Sequence, residues 1–215
     1  MIPSFRGAAL GAALVAMIAL VAACIAEPGG GATEAPATPS AGPTDGAHGC
    51  PTSQPPPLAA GESRTVTITT ELGTITTRID GALSPLAAGN FVALAACDYY
   101  DGVVFHRVVP GFVNQAGDPF GDPQGTGGPG YTILDEPAVD DYLPGTVAMA
   151  KTPQPNSAGS QWFVCIDCSA LSPDYAIVGV VTDGMETVTR INALGVADGP
   201  PSTPVTITSV EITER

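Results

Sequence analysis

From Arg64 onward the apolar residues come in short runs, each broken after a few residues by Gly, Pro, Asp or Ser. Runs of that length suit strands and leave no room for a framework of long helices. Val66, Ile68, Ile75 and Ile79 alternate with Thr and Arg around Glu71-Leu72-Gly73, which predicts a β-hairpin. The runs at 103–109, 112–115, 146–150, 161–166 and 176–181 read as further strands, and 205–212 as a closing one. Two segments break the pattern. Ser84-Pro85 supplies an N-cap and first-turn pair ahead of Leu86, Phe91 and Leu94 at helical spacing, so a helix is predicted to end near Cys97. Residues 185–194 read as a second helix. Many short strands with two helices predict a mainly β domain over 62–215, a closed barrel with helical plugs.

The residues before that domain are of two kinds. A short head carrying Arg6 precedes an apolar run from Ala8 to Ala23, the order of a secretory signal over 1–23. The run ends Val21-Ala22-Ala23-Cys24, which resembles the lipobox of bacterial lipoproteins, where the cysteine carries the lipid. A transmembrane helix is the alternative, since roughly 18 apolar residues can just span a bilayer. The lipoprotein reading is preferred because small residues flank Cys24 and no basic stop follows. On either reading the domain lies outside the cytoplasm, anchored to a membrane. Residues 24–61 are Gly, Pro, Ala, Thr and Ser without apolar period, including Pro55-Pro56-Pro57, and read as a flexible tether.

Formal charge is −14, with 21 acidic against 7 basic residues. Nucleic-acid partners are therefore not expected, because phosphates need a basic surface. Besides Cys24 there are Cys50, Cys97, Cys165 and Cys168, which in an oxidising compartment can pair in three ways. The expected set is Cys50–Cys97, pinning the tether's far end to the first helix, and Cys165–Cys168. The second pair needs a turn at Ile166-Asp167, because an extended three-residue step of about 10 Å exceeds disulfide reach.

Two blocks carry most of the functional information: Phe105-His106-Arg107-Val108-Val109-Pro110-Gly111-Phe112-Val113-Asn114-Gln115-Ala116-Gly117-Asp118, and Gly159-Ser160-Gln161-Trp162-Phe163. Gly125-Thr126-Gly127-Gly128 and Val147-Ala148-Met149-Ala150 lie between them. In this order and spacing they resemble the signature blocks of the cyclophilin family, over roughly Thr65 to Thr213, with a small insertion near residues 153–155. The resemblance implies an eight-stranded antiparallel barrel capped by two helices, with a substrate groove on its outer wall. It also implies peptidyl-prolyl cis/trans isomerase activity on Xaa-Pro bonds of extracytoplasmic proteins, assisting their folding. Arg107 matches the catalytic arginine, and Phe112 and Gln115 stand beside it. Phe112, Val113, Phe163 and Leu171 match the proline pocket, Gln115 and Gln161 its polar border, and Gly125, Ala150 and Lys151 the groove wall. Tyr175 stands where many members have histidine, Val113 where methionine is common, and Ala170 where an aromatic is usual. Proline-containing segments are the expected partners of a chain acting as a monomer. Rotation about an amide breaks no bond, so no metal or cofactor is expected.

Strand alternation makes one part independent of the resemblance: Gln161 and Phe163 share a face, and Trp162 and Val164 share the other. The resemblance implies which face is which, placing Trp162 in the core and Phe163 in the groove. Other chemistries fare worse. The glycine-rich stretch 125–130 satisfies a dinucleotide fingerprint formally, but prolines surround it and no helix is expected to follow. His48 and His106 are the only histidines, and no Gly-x-Ser-x-Gly string exists for a serine hydrolase. Cys165-x-x-Cys168 lacks a second ligand pair for zinc and a thioredoxin-like context for redox work. His106 is expected as a structural hydrogen-bonding residue, and the pairs Asp135-Glu136 and Asp140-Asp141 as solvated. The rival from another class is a cyclophilin-like module that binds proline-containing segments without turnover.

Overall fold

The computed structural model describes residues 49–121 and 123–214. The run read as a signal, Cys24, His48 and most of the segment read as a tether lie outside the described residues. Within them the elements are β1 (Ser63–Thr70), β2 (Gly73–Asp80), α1 (Pro85–Ala95), β3 (Arg107–Val109), β4 (Val113–Ala116), β5 (Thr146–Met149), β6 (Trp162–Cys165), β7 (Ile177–Asp183), α2 (Met185–Asn192) and β8 (Ile207–Glu214). The predicted hairpin forms between β1 and β2, with Thr70 opposite Gly73 and Ile68 opposite Ile75.

All eight strands join one antiparallel sheet in the order β3-β4-β6-β5-β7-β2-β1-β8. It curls into a barrel, but "closed" overstates the expectation. No ladder joins β3 to β8. The seam is held by a single Val104–Thr206 bridge and by backbone bonds such as Phe105 N to Val205 O at 2.9 Å and Ile207 N to Val103 O at 2.8 Å. The cause is local. β3 is three residues long and runs into Pro110, while the chain before β8 contains Pro200, Pro201 and Pro204, which cannot donate to a ladder.

The barrel interior is filled by Val66, Ile68, Ile75, Ile79, Val164, Val178 and Trp162, all fully buried. The Trp162 ring meets Phe91 of α1, Tyr100 and Phe105 edge-on at 5.8, 6.2 and 5.9 Å, an arrangement that suits the ring quadrupoles. Trp162 and Val164 face this core, whereas Phe163 and Cys165 belong to a second apolar cluster on the outer wall, as alternation requires.

Helix α1 starts where expected, with Ser84 at the N-cap and Pro85 in the first turn, but the cap is made differently. Ser84 makes no side-chain cap, and its buried Oγ has no partner. Its place is taken by Glu136, whose two carboxylate oxygens accept from Leu86 N at 3.0 Å and Ala87 N at 2.8 Å. A carboxylate bonds these donors more strongly than a hydroxyl and also complements the helix dipole. Asp135 is likewise engaged, accepting from Lys151 Nζ at 2.7 Å and Asn156 N at 2.9 Å. Of the acidic pairs read as solvated, only Asp140-Asp141 is exposed.

Part of the segment read as tether packs against the domain. Cys50 is bonded to Cys97. Leu58 is buried and donates its N–H to Pro85 O at 2.9 Å. The Pro56 carbonyl approaches Gly89 of α1 so closely that a Cβ there would collide with it. That contact explains a glycine inside a helix, where it otherwise costs about 1 kcal/mol relative to Ala.

Candidate active site

The groove lies on the outer wall where β3, β4 and β6 run side by side. The β4–β6 register sets Gln115 opposite Phe163 and Val113 opposite Cys165, while β3–β4 sets Arg107 opposite Gln115. A concavity of about 290 Å³ results, lined by Arg107, Phe112, Val113, Gln115, Ala150, Lys151, Phe163, Leu171 and Tyr175. These nine residues are all among those expected in the groove, and the other two expected there adjoin it through the Gln115–Gln161 and Gln161–Gly125 hydrogen bonds. Gln161 and Gly125 form its edge.

The polar side is one connected chain. Arg107 Nη1 donates to Gln115 Oε1 at 3.2 Å, and Gln115 Nε2 donates to Gln161 Oε1 at 2.9 Å. Gln161 Nε2 donates to the carbonyls of Gly125 and Gly127, both at 2.9 Å. The apolar side is Phe112, Val113, Phe163 and Leu171, with the Phe163 and Tyr175 rings edge-to-face at 5.6 Å. Arg107 lies between the two, its Cζ 5.9 Å from the Phe112 ring centre and its side chain 30% exposed. The Tyr175 backbone is held in turn by Tyr142, whose hydroxyl donates to Tyr175 O and accepts from Tyr175 N.

Three features were not anticipated from sequence. Asp198 holds the outer edge of Arg107, accepting from both Nε and Nη2. Asp118 organises the loop that carries Gly125. Only 2% exposed, it accepts four backbone N–H bonds: Phe120 and Gly121 on Oδ1, Gly125 and Gly127 on Oδ2. Burial alone would push this carboxyl up, but the four donors outweigh it and hold it below the ordinary carboxylate range. A Cβ at Gly127 would strike the Asp118 carboxylate, which is why the loop needs glycine there. Lastly, His106 is buried, with the Gln161 side chain beside its ring. The amide nitrogen of Gln161 beside it is already committed to two carbonyls. Burial pushes the His106 pKa down, against the opposing pull of the Asp118 charge and the Gln161 side chain.

The Cys165–Cys168 disulfide forms across the expected turn. Ile166 N and Asp167 N both donate to Phe112 O, at 2.7 and 3.3 Å, and Leu171 N donates to Cys168 O at 2.9 Å. The bridge thus braces two residues of the apolar wall.

A curled eight-stranded antiparallel sheet with two helices and an outer-wall groove is the architecture seen in cyclophilins. A crystal structure of a Cryptosporidium parvum cyclophilin type peptidyl-prolyl cis-trans isomerase superposes with a TM-score of 0.65 at 30% identity, covering 71% of this chain and 99% of that one. The family model described as cyclophilin type peptidyl-prolyl cis-trans isomerase matches residues 65–212. The chain belongs to this family. Among similar proteins, the probable peptidyl-prolyl cis-trans isomerase B of Mycobacterium tuberculosis is 37% identical over 166 residues, 67% of this chain and 53% of that protein. The peptidyl-prolyl cis-trans isomerase A of Dickeya dadantii is 33% identical over 173 residues, 74% of this chain and 90% of that protein. The chain spans about half the length of the mycobacterial relatives. The Cryptosporidium protein was also crystallised in the presence of the dipeptide Ala-Pro, a structure matched at a TM-score of 0.64.

Proposed function

We propose that the chain catalyses cis/trans isomerisation of Xaa-Pro bonds. The observation that carries this is the partly exposed Arg107 guanidinium set between an apolar wall and the Gln115 amide. Amide conjugation resists rotation by about 18–20 kcal/mol, and the two isomers before proline differ by only about 1 kcal/mol. Catalysis therefore needs a group that favours the twisted amide, whose nitrogen has regained its lone pair. Arg107 offers N–H donors to that nitrogen, useful chiefly in the transition state. Phe112, Val113, Phe163 and Leu171 hold the ring while the preceding carbonyl swings. The test is a proline-isomer assay of the purified chain on several Xaa-Pro peptides. Turnover supports the proposal, whereas peptide binding without turnover would make the chain a binding module.

The Cys165–Cys168 brace should matter to affinity more than to rate. Replacing both cysteines by alanine frees the Phe112 and Leu171 side chains of the apolar wall, and re-ordering them on binding should raise KM about two- to fivefold with kcat little changed. Steady-state kinetics of the double variant checks this, and an unchanged KM would show the brace irrelevant to binding.

We further propose that the protein acts outside the cytoplasm on client proteins, held to a membrane by lipid on Cys24. The signal-like run, the small residues before Cys24 and the two disulfides support this reading. Cys24→Ala should abolish lipid labelling and shift the protein from the membrane to the soluble fraction. Unchanged fractionation and processing would overturn it.

A further inference from the structure

We infer that Asp198 is a positioning residue that clamps the Arg107 guanidinium in its working orientation, an inference that rests on the isomerase reading above. The contact is two-pronged: the Asp198 carboxylate accepts from Arg107 Nε and, at 3.2 Å, from Nη2. With Gln115 holding Nη1, one edge and one corner of the guanidinium are committed. Arginine has five N–H bonds, so hydrogens on Nη1 and Nη2 remain to face the groove. Phe112 backs the flat face of the group. A planar fork fixed on three sides has little freedom left to lose when the substrate nitrogen appears.

The carboxylate is itself placed by the fold and is not a stray surface side chain. Its loop docks on β3 directly beside Arg107, where Val108 N donates to Gly199 O at 2.7 Å. At Gly195 the loop passes so near Val108 O that a Cβ would sit 2.6 Å from it. Ser202 closes the loop, its N–H and hydroxyl donating to Leu194 O at 2.8 and 3.0 Å. Pro200 and Pro201 stiffen the stretch between. The loop fills the seam that the short β3 leaves open, so incomplete closure of the barrel is what brings Asp198 to Arg107.

A neighbouring negative charge also opposes the donor's work by neutralising it. The Asp198 side chain is 69% exposed. Water and salt screen the charge of such a group, whereas the geometry of a bidentate pair survives. Orientation therefore outweighs charge damping, and removing the carboxylate should slow the reaction.

The test compares the full chain with its Asp198→Ala, Asp198→Asn and Asp198→Glu variants. Asp198→Ala should lower kcat about three- to fivefold, with KM within about twofold, the size expected for an exposed bidentate pair. Asp198→Asn should fall between, and Asp198→Glu should recover part of the loss. In parallel, the Arg107 Nε–H resonance should exchange slowly with water in the native chain and rapidly in Asp198→Ala. A merely structural role for the loop would lower thermal stability without this split or this resonance change. Native kcat in Asp198→Ala, or an unchanged Arg107 Nε–H signal, overturns the inference while leaving the isomerase reading standing. A native chain without turnover overturns that reading, and this inference with it.

Discussion

Arg107→Ala is expected to cut kcat/KM for isomerisation by at least about tenfold, the equivalent of a charge-assisted hydrogen bond of ~1.5–3 kcal/mol made in the transition state. The loss should fall mainly on kcat, because the best acceptor for the guanidinium exists only while the amide is twisted. The fold should survive. Arg107 is partly exposed, and its partners Asp198 and Gln115 can turn to water or to Gln161 once it is gone. Arg107→Lys should recover little, since an ammonium cannot satisfy Asp198 on one edge, Gln115 at one corner and the substrate at once. Phe163→Ala, by contrast, should raise KM and also cost stability, because that ring is buried in the wall cluster. Full activity in a folded Arg107→Ala protein would defeat the mechanism.

The second large effect is expected at Asp118, and it should appear as stability. Asp118→Ala leaves four backbone donors of the 119–127 loop without their acceptor. Breaking a buried charged network of this kind costs about 3–5 kcal/mol. Asp118→Asn should be nearly as damaging. Each carboxylate oxygen serves two N–H groups, so an amide NH2 in either place would confront two donors with a third. KM should rise in both variants, because Gly125 and Gly127 anchor the Gln161 amide at the groove's edge. Because the native pKa of Asp118 lies below the ordinary 3.8, its contribution is complete above that value. It is lost as pH falls through the lowered native value, and the acid limb of a stability–pH curve should flatten in the variants. Urea unfolding at neutral and acid pH measures both effects. A loss below about 1 kcal/mol would mean that solvent replaces the carboxylate without difficulty.

Local chemistry was readable wherever neighbours in sequence are also neighbours in space. The β1–β2 hairpin follows from alternation around Glu71-Leu72, and the opposite facing of Trp162 and Phe163 from the strand period alone. The groove residues were legible through the resemblance, because two short blocks contribute most of them through paired strands. What stayed hidden depends on pairing across long stretches of chain. Ser84 has the right identity for a cap, but Glu136, 50 residues away, reaches Leu86 first. Asp198 is 91 residues from Arg107 in a proline-rich loop that has the composition of a bland connector. The stretch from Cys50 to Leu58 has a linker's composition as well, yet a disulfide and the bare face of Gly89 give it a seat. The burial of His106 was hidden too, because its neighbour Arg107 is partly exposed.

The place of β1 in the sheet governs the order in which the chain can assemble. β1 lies between β2 and β8, so the first strand of the domain has the last as its neighbour, with Val66 opposite Ile212 and Ile68 opposite Val210. A chain emerging from its N-terminus can form the first hairpin at once. It must then hold one flank of β1 bare until residue 207 and beyond arrive. Contacts so distant in sequence carry a large loop-closure cost and place such domains among the slower folders, on the millisecond-to-second scale. Throughout that interval an alternating Val-Ile edge is available to any other strand, including the same edge of a second nascent copy. Arg64 is the one charge on that edge, and Thr65, Thr67 and Thr69 add none to discourage such pairing. A protein of this architecture is therefore most exposed to misassembly late in its own synthesis, and a shortened chain lacking β8 would remain in that condition permanently.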